Sequence, residues 1–170
     1  IWQSYILVAK KRGYDITKLK GVGGGIFYYG PAVLPSKMDW LWHKNRFSSC
    51  GRWSNDFMEY ILKNMPKWNI WYTSSYDFRE AGGNAIHEIA FTLAIRNEIL
   101  REMQKRGIDI NITARQLSPV LSSDRDFFEE IAKMRAGRRV WAKTMKEEFG
   151  ATDPKAMQMR FHVDVSGANF

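Results

Sequence analysis

Two short constellations carry side chains able to do acid–base work. Asp77 and Glu80 lie three residues apart in Tyr76-Asp77-Phe78-Arg79-Glu80, and Arg79 between them can balance one carboxylate. His162 and Asp164 lie two apart in Arg160-Phe161-His162-Val163-Asp164, so on a strand both side chains project from one face. Glu80 has a second reading, as a cap for the helix that follows, and Asn84 fills that role as well. His87, one turn inside the same helix beside Glu88, suits a surface or packing position. Cys50 is the single cysteine, so no internal disulfide forms, and it reads as an inert core thiol. Three histidines at no recognised ligand spacing make no zinc site, and no metal centre is expected.

The elements that must position these groups follow from periodicity. Gln3 to Arg12 reads as a helix stopped by Gly13. Gly21 to Gly51, with Gly23, Gly24 and Gly25 and many aromatics, reads as a strand-end loop that approaches a ligand. Ser54 is expected to cap a helix running to Asn64, and Ile70 to Ser75 is rich in strand formers. A long helix follows from Asn84 to Arg106, with Ile86, Ile89, Ala90, Leu93, Leu100 and Met103 expected on its inner face. Ile110 to Leu121 reads as a strand with its loop. Asp124 or Asp126 caps a second long helix to about Phe149, and Met157 to Val165 alternates like a third strand. Strands separated by long helices are the pattern of parallel βα units.

Such units build either a doubly wound sheet or a closed barrel. No dinucleotide fingerprint follows any strand, which favours the barrel. The expected fold is therefore α/β, part of a (β/α)8 TIM barrel with parallel strands and outer helices. In that fold ligands meet the C-terminal strand ends, which singles out Gly21 to Gly25, Ser75 to Glu80, Arg115 to Ser123 and His162 to Ser166.

Of the 170 residues, 45% are hydrophobic and 26% charged, ordinary for a globular domain and against disorder. No apolar run reaches the roughly 18 residues of a membrane span, and no leader-like segment opens the chain, so a cytoplasmic location is expected. The net charge of +8 points to an anionic partner. Lys and Arg are interspersed with Glu and Asp, as in Lys143, Lys146, Glu147 and Glu148, instead of forming one basic tract. That distribution disfavours nucleic acid and suits a phosphorylated cofactor such as coenzyme A. The chain starts at Ile1 without a methionine and stops at Phe170 just after a strand-like run, so truncation at both ends is expected.

Several blocks in order resemble the methylmalonyl-CoA mutase family. They are Met65-Pro66-Lys67-Trp68-Asn69, Ser75-Tyr76-Asp77 with Glu80-Ala81-Gly82, and Glu88-Ile89-Ala90-Phe91-Thr92-Leu93-Ala94. Asp126 to Ala136, Trp141-Ala142-Lys143, and Arg160-x-His162-x-Asp164-x-Ser166-Gly167 continue the series. The resemblance implies a barrel that threads an acyl-CoA along its axis. Adenosylcobalamin would be held against the mouth by a cobalamin-binding domain or small subunit outside these residues, in a dimer or heterotetramer. It further implies catalytic roles for Tyr76, Asp77 and His162, and cofactor contacts for Glu80, His162 and Asp164. Substrate contacts fall to Gly23, Gly24, Gly25, Trp40, Arg115, Gln116 and Ser118.

This chain departs from the family's pattern at several of those positions. Asp77 stands where the family has a histidine that bonds the thioester carbonyl, and an ionised carboxylate cannot donate that bond. Gly21-Val22-Gly23-Gly24-Gly25 replaces a polar loop, and Trp40 falls near the arginine that pairs with a substrate carboxylate, with Lys44 and Arg46 close by. Ala114-Arg115-Gln116-Leu117-Ser118 displaces another arginine by one place, and Asp164 replaces a glutamine. The expected enzyme is a radical isomerase for an acyl group without a free carboxylate, such as isobutyryl- or 2-hydroxyisobutyryl-CoA. The alternatives are a methylmalonyl-CoA mutase proper and a non-catalytic mutase subunit.

Overall fold

The computed structural model describes residues 2–23, 46–165 and 167. Its four strands are β1 (Gly21–Val22), β2 (Trp68–Ser74), β3 (Leu117–Ser123) and β4 (His162–Val165). They lie in chain order in one sheet, and every neighbouring pair is parallel. Among the described residues the helices are α1 (Trp2–Lys11), α2 (Arg46–Asn64), α3 (Tyr76–Glu80), α4 (Ala85–Lys105), α5 (Ile110–Gln116) and α6 (Phe127–Glu147), with one 3-10 turn at Ile16–Lys18. This is the parallel half-barrel with flanking helices that the periodicity predicts.

Capping residues fix where the long helices begin. The Asn84 side chain accepts from the His87 amide at 2.9 Å, and His87 Nδ1 accepts from the Asn84 amide at 3.5 Å, satisfying two first-turn donors at the head of α4. Asp126 accepts from the Glu129 amide at 3.0 Å and starts α6. Gly107 and Gly150, at φ +74° and +64°, take the left-handed conformation just beyond the two helices. The core lies between sheet and helices, where Met58, Ile61, Ile70, Leu100, Leu121 and Trp141 are wholly buried. Trp141 also donates from Nε1 to the Ala156 carbonyl at 3.0 Å, and Arg96 lies 4.7 Å above its ring.

Several boundaries differ from the sequence reading. Ser54 does not cap a helix: α2 already begins at Arg46, and Ser54 is buried inside it, in line with Met58 and Ile61. Ile110 to Gln116 is helical because Asp109 accepts from the Asn111 amide at 2.7 Å, while Ile110, Thr113 and Ala114 bury at helical spacing. The strand therefore starts only at Leu117. Met157 to Phe161 is not strand either, since Ala156 and Met159 turn into the core and β4 begins at His162.

The inner face of α4 also differs. Ile86 is 76% exposed and Ala90 is exposed, whereas Glu88, Thr92 and Arg96 are fully buried. Glu88 accepts from the Ser122 amide at 2.6 Å, from the Ser122 hydroxyl at 2.8 Å and from Lys133 Nζ at 2.9 Å. A buried carboxylate with three donors, one of them cationic, is stable where a lone one would not be. Among the described residues no helix is long and apolar enough to cross a membrane.

Candidate active site

Because all strands run one way, each end of the sheet gathers one kind of segment. At the C-terminal end, β2 passes into α3 through Ser75, whose amide donates to the Val120 carbonyl at 2.8 Å and whose hydroxyl donates to the same oxygen. Tyr76 and Asp77 follow, half-buried in the first turn of α3. Register places Ser74 opposite Val120 and Val120 opposite His162, so His162 lies level with the end of β2, two strand spacings or roughly 10 Å across the sheet. His162 Nε2 stands 3.0 Å from Asp164 Oδ1, both on the same face of β4. The Glu80 carboxylate accepts from the Gly167 amide at 2.7 Å, reaching past β3 to the segment after β4.

The end thus collects Tyr76, Asp77, Glu80, His162 and Asp164, although His162 opens β4 instead of lying near the end of a longer strand, and only the register brings it level with Ser74. Arg79 does not balance Asp77 or Glu80 at the mouth. It is buried and bonds Asp124, with Glu130 at 3.7 Å and Glu88 at 4.0 Å, tying α3 to the end of β3 and to α6. Glu80 is no cap for α4, since Asn84 holds that place.

The N-terminal strand ends frame a different site. Arg115 and Gln116 close α5 before β3 starts, so they stand at the opposite end from Asp77, and Ser118 lies one residue inside the strand. This corrects the expectation that Arg115 to Ser123 forms one strand-end cluster: only Ser122 and Ser123 reach the C-terminal end. A cavity of about 570 Å³ opens here, lined by Lys67, Asn69, Arg115, Gln116, Lys155 and Arg160 among others. Arg160 donates to Asn69 Oδ1 at 3.0 Å and to the Arg115 carbonyl, and Arg115 pairs with Asp153 at 3.4 Å. Gln116 is 6% exposed, and its Oε1 has no hydrogen-bond partner. The cations that line the cavity beside this enclosed acceptor suit a ligand that brings negative charge. Lys67 and Lys155 escape a sequence reading because each precedes its strand by a different number of residues, and only the shared end of a parallel sheet brings them together.

Gly23 donates to the Asn69 carbonyl at 3.1 Å and accepts from Trp68 Nε1 at 3.4 Å, beside the beginning of β2. Its neighbour Gly21 leaves room for the Trp68 ring, whose atoms would stand 2.4 Å from any β-carbon there. At Gly21 the missing side chain thus accommodates an indole. Gly24, Gly25, Trp40 and Lys44 lie outside the described residues, as does the side chain of Arg46. Among the described residues no three His, Cys, Asp or Glu side chains converge as a metal-ligand set.

Comparison with known proteins gives one consistent result. The family described as methylmalonyl-CoA mutase matches residues 1–170. The 2-hydroxyisobutanoyl-CoA mutase large subunit of Aquincola tertiaricarbonis is 36% identical over 164 residues, 96% of this chain and 28% of that protein. The methylmalonyl-CoA mutase large subunit of Porphyromonas gingivalis is 43% identical over 112 residues, 66% of this chain and 16% of its own length. The mitochondrial methylmalonyl-CoA mutase of Homo sapiens is 41% identical over 112 residues, 66% of this chain and 15% of its own. The chain spans 28% or less of the length of these relatives.

Proposed function

Because the chain belongs to the methylmalonyl-CoA mutase family, we propose that it forms part of the substrate-binding barrel of an adenosylcobalamin-dependent acyl-CoA mutase, acting in the cytoplasm on an acyl group without a free carboxylate. One observation carries the reading: β2 runs from a cationic cavity at its start to Tyr76 and Asp77 just beyond its end, and the register sets His162 level with that end. Seven residues of strand span roughly 20 Å, a distance suited to a long, flexible thioester arm with phosphates at one end and the reacting acyl group at the other. In this reading Lys67, Arg115, Lys155 and Arg160 neutralise phosphate, and Gln116 Oε1 takes a donor from the arm.

The acyl end follows from charge. Beside Asp77 a substrate carboxylate needs a cation of its own, since burying such a group unpaired costs several kcal/mol, on the order of a thousandfold in specificity. A hydroxyl suits Asp77, which accepts its hydrogen. The Aquincola tertiaricarbonis relative is named for a hydroxylated acyl group, in keeping with this choice.

The residues at the C-terminal end also fit the cofactor. Glu80 and Asp164 offer acceptors to ribose hydroxyls and amides. Adenosylcobalamin, carried by a further domain or a small subunit, supplies the carbon-centred radical for a 1,2-rearrangement. This chain binds the thioester, orients its acyl group and excludes water from the reacting atoms.

The test compares kcat/KM of the complete enzyme for methylmalonyl-, isobutyryl- and 2-hydroxyisobutyryl-CoA, in wild type and Asp77→His. We expect the last two to be preferred by wild type. A wild-type preference for methylmalonyl-CoA removes the substrate assignment and directs attention to Lys44 and Arg46.

A further inference from the structure

Within β4, the contact between His162 Nε2 and Asp164 Oδ1, 3.0 Å long, restricts what the imidazole can do. An ionised carboxylate has no proton to give, so Nε2 must carry the hydrogen. In the neutral ring Nδ1 then holds the lone pair and can only accept. The pairing is set by the backbone, because β4 is held in register with β3, His162 opposite Val120 and Asp164 opposite Ser122. The bond from Gly167 to Glu80 tethers the chain just beyond. A glutamine here would have an acceptor and a donor on one amide and would leave either tautomer open. The carboxylate removes that freedom.

We propose that Asp164 is a positioning residue that fixes His162 as the Nε2–H tautomer, so that Nδ1 is the atom that meets the ligand and accepts from a donor on it. This rests on the acyl-CoA reading above, and two parts of such a ligand carry donors: a hydroxyl on the acyl group and an amide N–H on the pantetheine arm. Neither a carbonyl nor a carboxylate can fill that place. The pair is exposed, with side chains 71% and 49% accessible, so it contributes little to stability and its removal leaves the fold intact.

The experiment uses the complete protein labelled with 15N at histidine, at a pH of about 8, where an ordinary imidazole is neutral. Two-bond 1H–15N spectra, assigned with His162→Gln, should give wild-type His162 a protonated Nε2 and an unprotonated Nδ1. Asp164→Leu and Asp164→Gln should give averaged shifts of a tautomer mixture, and Asp164→Glu should restore the wild-type pattern. A protonated Nδ1 in wild type, or a spectrum unchanged in Asp164→Leu, overturns the proposal. In kinetics, losing one neutral hydrogen bond should raise KM about 2- to 10-fold in Asp164→Leu. An increase confined to 2-hydroxyisobutyryl-CoA identifies the acyl hydroxyl as the donor, and an equal increase for isobutyryl-CoA identifies the pantetheine amide. A tautomer shift without any change in KM sinks the role of Nδ1. If no acyl-CoA turns over, the mutase reading fails, while the spectrum still decides the tautomer.

Discussion

Lys133 Nζ stands 2.9 Å from Glu88 Oε2, and neither side chain is more than 1% exposed. Lys133 also donates to the Ser122 carbonyl at 2.8 Å and pairs with Glu130, so α4, β3 and α6 meet on one ammonium group. Removing Lys133 takes the nearest cation from Glu88 and Glu130 and leaves them only Arg79, at 4.0 and 3.7 Å, and breaking such a buried pair typically costs about 3–5 kcal/mol. Lys133→Met should destabilise the protein by about that much in urea unfolding. Glu88→Gln combined with Lys133→Met should lose clearly less than the sum of the single variants, because the pair is removed together. Strict additivity would show that the two charges are not coupled.

Gly137 lets α6 approach α4. A β-carbon there would stand 3.1 Å from Ile89 Cδ1 and 3.6 Å from Met159 Sδ. Both are ends of flexible side chains, and alanine gains up to about 1 kcal/mol of helix propensity over glycine. Gly137→Ala should therefore stay within about 1 kcal/mol of wild type in thermal unfolding. Gly137→Leu needs space that the tip of Ile89 cannot yield and should cost about 1–3 kcal/mol. A tolerated leucine would mean that the helices separate at little cost.

The parts of the fold that can be read from sequence are those with a local cause. Asn84 and Asp126 cap the helices they precede, and the strand formers from Ile70 onward make β2. Asp109 is also a local signal, yet Ile110, Ile112 and Thr113 favour a strand, and only burial of one helical face decides between the two. Glu88 and Arg96 look like surface charges in an amphipathic pattern. Their burial depends on Ser122, Lys133 and Trp141, which lie 34 to 45 residues further along the chain. Tyr76 and Asp77 are recognisable because the end of β2 is local, whereas His162 opens β4 and comes level with them only through the register of the sheet. That Arg115 and Gln116 sit at the other end depends on where β3 begins, and the helical turn of α5 hides that.

Glu59 gives a pH dependence. Hydrogen bonds from Lys63 at 2.5 Å and from Arg106 at 2.8 Å hold its carboxyl below the ordinary value of 4.5. A depressed carboxylate contributes stability that is fully present above the unfolded value and is lost as pH falls through the folded one. Wild type should therefore lose stability below about pH 4.5 more steeply than Glu59→Gln. Because the group is partly exposed, the difference at neutral pH should be small and should shrink in high salt. Parallel acid-unfolding curves for the two proteins would exclude a contribution from Glu59.

The cationic cavity makes the last prediction. Lys155 lines it, and its side chain is exposed. If the cavity holds the phosphates of coenzyme A, Lys155 acts equally on the bound substrate and on the transition state, since the phosphates take no part in the rearrangement. Its loss should then raise KM and leave kcat unchanged. A charged hydrogen bond contributes about 1.5–3 kcal/mol, and solvent screening places this one at the lower end, so Lys155→Ala should raise KM about tenfold at low salt and less at high salt. Gln116→Leu removes the unpartnered acceptor, keeps the size of the side chain, and should raise KM by a smaller factor. The control is an acyl-pantetheine, which ends before the phosphates. Against that substrate Lys155→Ala should behave as wild type, whereas Gln116→Leu should keep its defect if Oε1 meets the arm. A lysine effect of equal size on the truncated substrate would place the phosphates elsewhere and leave the cavity without this role.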